Sequence, residues 1–299
     1  MSSLIQPLTK LFNAILTHGH FPDNWRENTL SPLLKKGDSS NPKNYRGIAV
    51  AVSLSKLFVT VLQLRLKKFS EQRSLIPNCQ IAYREKHSTF DHILTMKNII
   101  DKYINKAAKS KLYVCFVDFK SAFDTVWRQA LLYKLMKNGI CGNFINIIDS
   151  MYSNVLYRIK VDGFLSPPIK SNVGVKQGCV LSPLLFNLFL SDLPDIFTPE
   201  CDPIKLHDTV LNCLMFADDL VIISQSATGL QKCLNNLQQY CSKWCLTINI
   251  DKTKIIIFNK FGYIVSRNTF YIYDQPLEIV KSYCYLGIIF SSNGSFKNA

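Results

Sequence analysis

Two stretches decide the fold: "KLYVCFVDF" at residues 111–119 and "CLMFADDLVIIS" at 213–224. Each is β-branched, aromatic and apolar at nearly every position, which is the pattern of a short buried strand. The second is broken only at its middle, by Asp218 and Asp219, and so predicts two strands joined by a tight acidic turn. Asp118 follows the apolar run "LYVCFV" of the first stretch. Aspartates at turns and strand ends are common surface residues. Two strand-borne acidic sites held close together are different, because paired carboxylates need a counter-cation. Magnesium takes hard oxygen ligands, few carboxylates and substrate phosphates. Two divalent ions about 3.5–4 Å apart are the means by which nucleotidyl transfer is catalysed.

Outward from these strands the periodicity alternates between helix and strand. Upstream, "LIQPLTKLFNAILTHGHFPDNW" (4–25) predicts an amphipathic helix ended by Gly19 and Pro22. The stretch "LLKKGDSSNPKNYRG" (33–47) predicts a basic loop. A helix is expected from about Ser53, with Leu54, Leu57, Phe58, Val61, Leu62 and Leu66 on one face and Lys67 and Lys68 at its basic end. Ser88 and Asp91 have capping-box spacing for a long helix through about Ala107. Downstream, helical patterns run from Trp127 to Met151 with breaks at Gly139 and Gly142. A strand "LYRIKV" (156–161), a loop "GVKQG" (174–178) and a helix from Ser182-Pro183 follow. Leu230, Cys233, Leu234, Leu237, Tyr240, Cys241 and Trp244 mark one side of a further helix, and "KIIIF" and "YCYLGIIF" close the chain as strands. The order predicts an α+β fold: an antiparallel sheet with packed helices, preceded by a helical, basic extension.

Composition narrows the partner. The 299 residues are 47% hydrophobic, enough for a substantial core, and carry 35 Lys and Arg against 21 Asp and Glu, a net charge of +14. A surplus of that size points to a polyanion, since each neutralised phosphate releases counterions. Ten cysteines are scattered without a C-x-x-C pair, so a reducing, intracellular setting fits, in cytoplasm or nucleus. Cys241 and Cys245, one helical turn apart beside Trp244, are expected to pack in the core rather than hold zinc. The most apolar run, "VLSPLLFNLFLSDL" (180–193), is too short and too interrupted for a membrane span, so a soluble protein is expected.

These residues carry a family resemblance. "FVDFKSAFDTVW" (116–127) resembles motif A of the reverse transcriptase domain of non-LTR (LINE-type, jockey-like) retrotransposons. "GVKQGCVLSPLLFNLFLSDL" (174–193) resembles motif B, and "MFADDLVIIS" (215–224) motif C. "LTINIDKTKIIIF" (246–258) resembles motif D and "YLGIIF" (285–290) motif E. "SPLLKKGDSSNPKNYRGIAV" (31–50) and "QIAYREKHSTFDHI" (80–93) resemble the fingers motifs. Gly47 and Ala82 stand where the family usually has proline and glycine.

The resemblance implies a polymerase palm with mostly helical fingers. Residues 1–110 would be fingers-like and 111–299 the palm, with a fingers segment between motifs A and B, together one domain of roughly 29–295. It implies RNA-directed DNA polymerase activity on an RNA template with a DNA primer or RNA/DNA hybrid and dNTP, using two Mg²⁺ ions with Mn²⁺ as a substitute. Asp118, Asp218 and Asp219 would be the metal ligands, and the carbonyl of Phe119 would lie near the leaving-phosphate metal. Phe123 would exclude a 2′-hydroxyl, and Gln177 and Gly178 would contact nucleotide or template. Lys35, Lys36 and Arg46 would meet the triphosphate, where arginine offers a planar fork and lysine a point charge. Lys252 would protonate the pyrophosphate leaving group. Asp124 belongs to the same pattern and is given no role beyond bracing the strand end.

Nine residues follow Phe290, so the thumb is expected to be absent or truncated and synthesis weak and distributive. Two alternatives stand beside this reading. One is an inactive nucleic-acid-binding remnant. The other is a viral-type RNA polymerase, against which Phe123 and an "FADD" rather than a "GDD" turn argue.

Overall fold

The computed structural model of the chain describes residues 2–35, 37–106, 110–206, 208–264 and 268–298. Its helices fall where the 3.6-residue periodicity puts them. They are Ser2–His18, Ser53–Gln72, Thr89–Ile104, Arg128–Lys137, Asn143–Tyr152, Ser182–Phe189 and Ala227–Trp244. Ser88 and Asp91 form the expected reciprocal cap, Asp91 Oδ2 accepting from the Ser88 N–H at 2.8 Å. That helix ends at Ile104, and Ala107 lies outside the described residues. All seven apolar positions expected on Ala227–Trp244 are buried. Cys245, expected in the core, is instead exposed, closing that helix at φ +56°. All ten cysteines are free thiols.

The chain divides into two compact units, each built from separated stretches: residues 1–76 with 123–190, and 77–122 with 191–299. Helix Thr89–Ile104 belongs with the second unit, packed on strands Lys111–Val117 and Lys254–Asn259.

The second unit holds the acidic strands. Among the described residues its main sheet runs in the order Glu278–Ile279, Lys254–Asn259, Lys111–Val117, Asp219–Ser224, Cys213–Phe216. Pairing is antiparallel except for the short parallel contact of Glu278–Ile279. Helix Thr89–Ile104 covers one face, where Met96, Ile99 and Ile100 meet Leu112, Val114, Phe116, Val221 and Ile256. Helix Ala227–Trp244 also packs on the two central strands. Strands covered in this way are apolar throughout rather than alternating. "YCYLGIIF", expected as one strand, is a hairpin of Ser282–Tyr285 and Ile288–Ser291 turned at Leu286 (φ +49°) and Gly287 (φ +82°).

In the first unit most of the expected basic loop is the connection of a hairpin, and only residues 33–34 and 45–47 of it belong to strands. Strands Glu27–Leu34 and Tyr45–Val50 pair antiparallel, and Glu27–Leu34 also runs parallel to Val155–Val161. The parallel pairing ends at Leu30, so Pro32 lies where the strand has one neighbour and its missing N–H leaves no gap in the ladder. On helix Ser53–Gln72 the buried stripe is Ser55, Phe58, Val59, Leu62, Leu66 and Ser70. Leu54 and Leu57, expected inward, are exposed. Phe58 instead packs among Phe12, Phe21 and Trp25, with ring centroids 5.2–6.3 Å away.

Candidate active site

The acidic residues are aimed by strand register. Leu220 lies opposite Val117 in the last pair of the antiparallel ladder, so Asp219 and Asp118 are the residues immediately beyond its end. Opposed residues of such a pair stand roughly 4.5–5.5 Å apart at Cα. Asp219 in turn pairs with Phe216, leaving Ala217 and Asp218 as the tip of a two-residue turn. Ala217 takes φ +55°, a left-handed conformation costly for a residue with a Cβ.

The electrostatics record the same convergence. Asp219 is pushed up to about 6, first by desolvation among the surrounding protein atoms, then by the negative charges of Asp218 and Asp118. Asp118 is itself held in place. Its Oδ2 accepts from Asn249 Nδ2 at 2.9 Å, its carbonyl accepts from the Asn249 N–H at 2.8 Å, and its own N–H donates to Thr253 Oγ1 at 3.2 Å. Phe119, buried, bridges to Ile248. Lys252 lies in the turn between Asn249 and Thr253, with an exposed side chain.

Among the described residues no group of three His, Cys, Asp or Glu side chains is gathered closely enough to grip a metal ion unaided. One Asp118 oxygen is turned to Asn249 instead. The chemistry of the donors still suits a hard divalent cation: three carboxylates at neighbouring strand ends, one of them held toward its neutral form by desolvation and then by the charges of the other two.

The first unit carries the other residues singled out in the sequence. Phe123 is half-buried and stacks on Phe186, ring centroids 4.4 Å apart. Gln177 Nε2 donates to Asp124 Oδ1 at 2.6 Å, and the Gln177 carbonyl accepts from the Ala49 N–H at 2.9 Å. Gly178 (φ +93°) lies against strand Tyr45–Val50, where an added Cβ would sit 3.1 Å from the Ala49 carbonyl oxygen. Gly174 is tighter still, with 2.5 Å between such a Cβ and the Asp124 carbonyl oxygen. Burial raises Asp124 above the usual carboxylate range, and the Gln177 hydrogen bond and the positive charges of Lys35 and Arg46 pull it back. Those two cations, both exposed, therefore stand within electrostatic reach of Asp124. Lys36 lies outside the described residues. A cleft of about 280 Å³ opens between Gly47, Asp124, Gly174 and Gln177.

Three supporting residues escaped the sequence reading. Asn249 holds Asp118 across 131 positions of chain. Buried Arg128 donates to the carbonyls of Tyr152, Ser171, Val173 and Gly174 and so fixes the approach to the Gly174–Gly178 loop. Gln80 is wholly buried beside Ala217. Polar residues of this kind have no period; only their partners reveal them.

Comparison with known proteins agrees with this arrangement. The family described as reverse transcriptase (RNA-dependent DNA polymerase) matches residues 33–290. A probable RNA-directed DNA polymerase from transposon BS of Drosophila melanogaster is 30% identical over 259 residues, 82% of this chain and 27% of that protein. The RNA-directed DNA polymerase from mobile element jockey of the same fly is 29% identical over 296 residues, 95% of this chain and 31% of that protein. The chain thus spans under a third of these relatives' length. Apo telomerase from Candida tropicalis, truncated from its C-terminal domain, superposes with a TM-score of 0.61 at 16% identity, over 99% of this chain and 60% of that one. Telomerase from Candida albicans in complex with a fragment of telomeric RNA gives a TM-score of 0.60 at 14% identity, over 97% and 49%. At such identities the likeness speaks for the fold, that of a reverse transcriptase palm with its accompanying helices. No helix among the described residues is long and apolar enough to cross a membrane. With a match covering most of its length and acidic strand ends in the corresponding motifs, the chain belongs to the reverse transcriptase family.

Proposed function

We propose that this chain performs RNA-directed DNA synthesis, extending a DNA 3′-hydroxyl along an RNA template with deoxynucleoside triphosphates. The observation that supports the reading is the strand register, which sets Asp118 just past the end of Lys111–Val117 and Asp218 and Asp219 in the turn before the strand paired with it. Two divalent ions, when bound, activate the attacking oxygen and neutralise the leaving phosphates. Asp118, Asp218 and Asp219 are the residues that would hold them, with substrate phosphates completing the coordination that the side chains leave open. A bound cation would offset the desolvation and the neighbouring charges of Asp218 and Asp118 that hold Asp219 toward its neutral form. Asn249 keeps Asp118 from swinging away.

The remaining roles follow the chemistry of each side chain. Arg46 and Lys35 supply positive charge for the triphosphate, and Gln177 and Gly178 let backbone and amide approach the nucleotide or template. Phe123, braced on Phe186, is the side chain that would exclude a ribose 2′-hydroxyl. Lys252 donates the proton that leaves with pyrophosphate. On this reading residues 77–122 and 191–299 form the palm, and 1–76 with 123–190 the fingers-like part. Primer extension on an RNA template, comparing the wild-type chain with Asp218→Asn, tests the proposal. Equal extension by both defeats the ligand assignment, and ribonucleotides incorporated as readily as deoxynucleotides defeat the choice of DNA as product.

A further inference from the structure

The acidic turn is under strain that its own residues do not relieve. Ala217, directly before Asp218, holds φ +55°, where an L-residue with a Cβ rarely sits. Something outside the hairpin must over-determine that conformation. The segment just before helix Thr89–Ile104 supplies it. Cys79 to Ile81 lie alongside strand Cys213–Phe216: the Met215 N–H donates to the Cys79 carbonyl at 2.8 Å, and the Ile81 N–H to the Met215 carbonyl at 3.2 Å. This register places the Gln80 side chain, 0% exposed, beside the turn. Its Nε2 donates to the Ala217 carbonyl at 3.1 Å, while its Oε1 accepts from the Ala217 N–H at 3.0 Å and from the Ala82 N–H at 3.1 Å. The carboxamide thus grips both polar groups of the one strained residue and ties them to its own segment. A carboxamide presents its donor and its acceptor side by side on one carbon, as gripping both polar groups of one residue requires.

We infer that Gln80 is a positioning residue for the polymerase reaction: its buried carboxamide clamps the left-handed Ala217 backbone and thereby aims Asp218 and Asp219. The inference rests on the polymerase reading for its kinetic consequence, but the clamp itself is a property of the folded chain. Gln80 touches no substrate. It acts through Ala217, and its removal lets the turn relax toward an ordinary conformation that points the two carboxylates elsewhere. A displacement of about 1 Å at reacting groups costs on the order of a hundredfold in rate.

The test uses Gln80→Met, which keeps the volume and removes both hydrogen-bonding groups, and Gln80→Met combined with Ala217→Gly, since glycine adopts positive φ without restraint. The first readout is amide hydrogen exchange of peptides covering 213–224, which requires neither metal nor turnover. Gln80→Met should lose protection at 216–219 while 220–224 stays as in wild type. The second is single-nucleotide incorporation. Gln80→Met should show kcat lower by about a hundredfold and a raised Mg²⁺ half-saturation, with KM for the nucleotide little changed, and the added Ala217→Gly should restore at least a tenfold part of the loss.

Wild-type exchange at 216–219 in Gln80→Met, or protection lost evenly across 213–224 with no rescue by glycine, would overturn the clamp and leave Gln80 a packing residue. If Gln80→Met does not fold, the double variant should, because glycine removes the strain; failure of both to fold also overturns it. If the wild-type chain itself incorporates no nucleotide, the polymerase reading falls, and the exchange experiment still decides the clamp.

Discussion

Replacing Asp219 with asparagine should make the protein more stable, and only at a pH where the native carboxylate is charged. The folded-state value of about 6 lies above the ordinary 3.8. For a carboxyl whose folded value is raised, the charged form is disfavoured in the native state. The sign is therefore the reverse of a salt-bridged aspartate: stability from this group is greatest below about pH 4, declines as pH rises toward 6, and is constant beyond. A shift of that size corresponds to roughly 3 kcal/mol if the site were dry. Asp219 is exposed, and screening by solvent reduces this to about 1 kcal/mol.

Asp219→Asn should recover that amount at pH 7.5, about 2 °C in Tm for a chain of this size, and nothing at pH 4. Thermal unfolding followed by circular dichroism at both pH values, with wild type measured in parallel, reads the difference directly. Added Mg²⁺ should raise the Tm of wild type more than that of the variant, because a cation that binds only the folded state stabilises it. A variant less stable than wild type at pH 7.5, or equally stabilised at both pH values, refutes an Asp219 carboxyl raised by desolvation and by its charged neighbours.

Further outcomes follow from single contacts. Asn249→Ala removes the donor to Asp118 Oδ2 and should lower single-nucleotide incorporation by roughly tenfold to a hundredfold while costing only about 1 kcal/mol in urea unfolding. Gly174→Ala forces a Cβ to 2.5 Å from the Asp124 carbonyl oxygen at φ +81° and should destabilise by about 2–3 kcal/mol in the same unfolding assay. Phe123→Val shortens the side chain stacked on Phe186 and should raise ribonucleotide relative to deoxynucleotide incorporation in a competition assay. Unchanged discrimination removes Phe123 from the sugar pocket.

What the sequence reveals depends on whether local pattern or distant partners decide a position. The helix Ala227–Trp244 is legible residue by residue because one stripe is buried and the period is unbroken. The acidic turn is legible because apolar strands bracket it. The hairpin of Glu27–Leu34 and Tyr45–Val50 is not, since apolar Leu33, Leu34 and Val50 are exposed, no alternation marks a buried face, and Pro32 interrupts the first strand. Leu54 and Leu57 mislead in the opposite direction: helical spacing identifies a face, but the aromatic cluster around Phe58 sets which way that face turns. Asn249 and Gln80 act over 131 and 137 positions of chain, and no window of sequence carries such a signal.

The order of strands bears on how the protein is made. Lys111–Val117 is flanked in the sheet by Asp219–Ser224 and Lys254–Asn259, both synthesised about a hundred residues or more after it. During translation this apolar strand leaves the ribosome with both edges bare, and only the earlier helix Thr89–Ile104 is at hand to shield one face. At ordinary elongation rates the exposure lasts on the order of ten seconds. Until the turn that carries Asp218 arrives, the segment "LYVCFV" (112–117) stays without a strand partner on either edge.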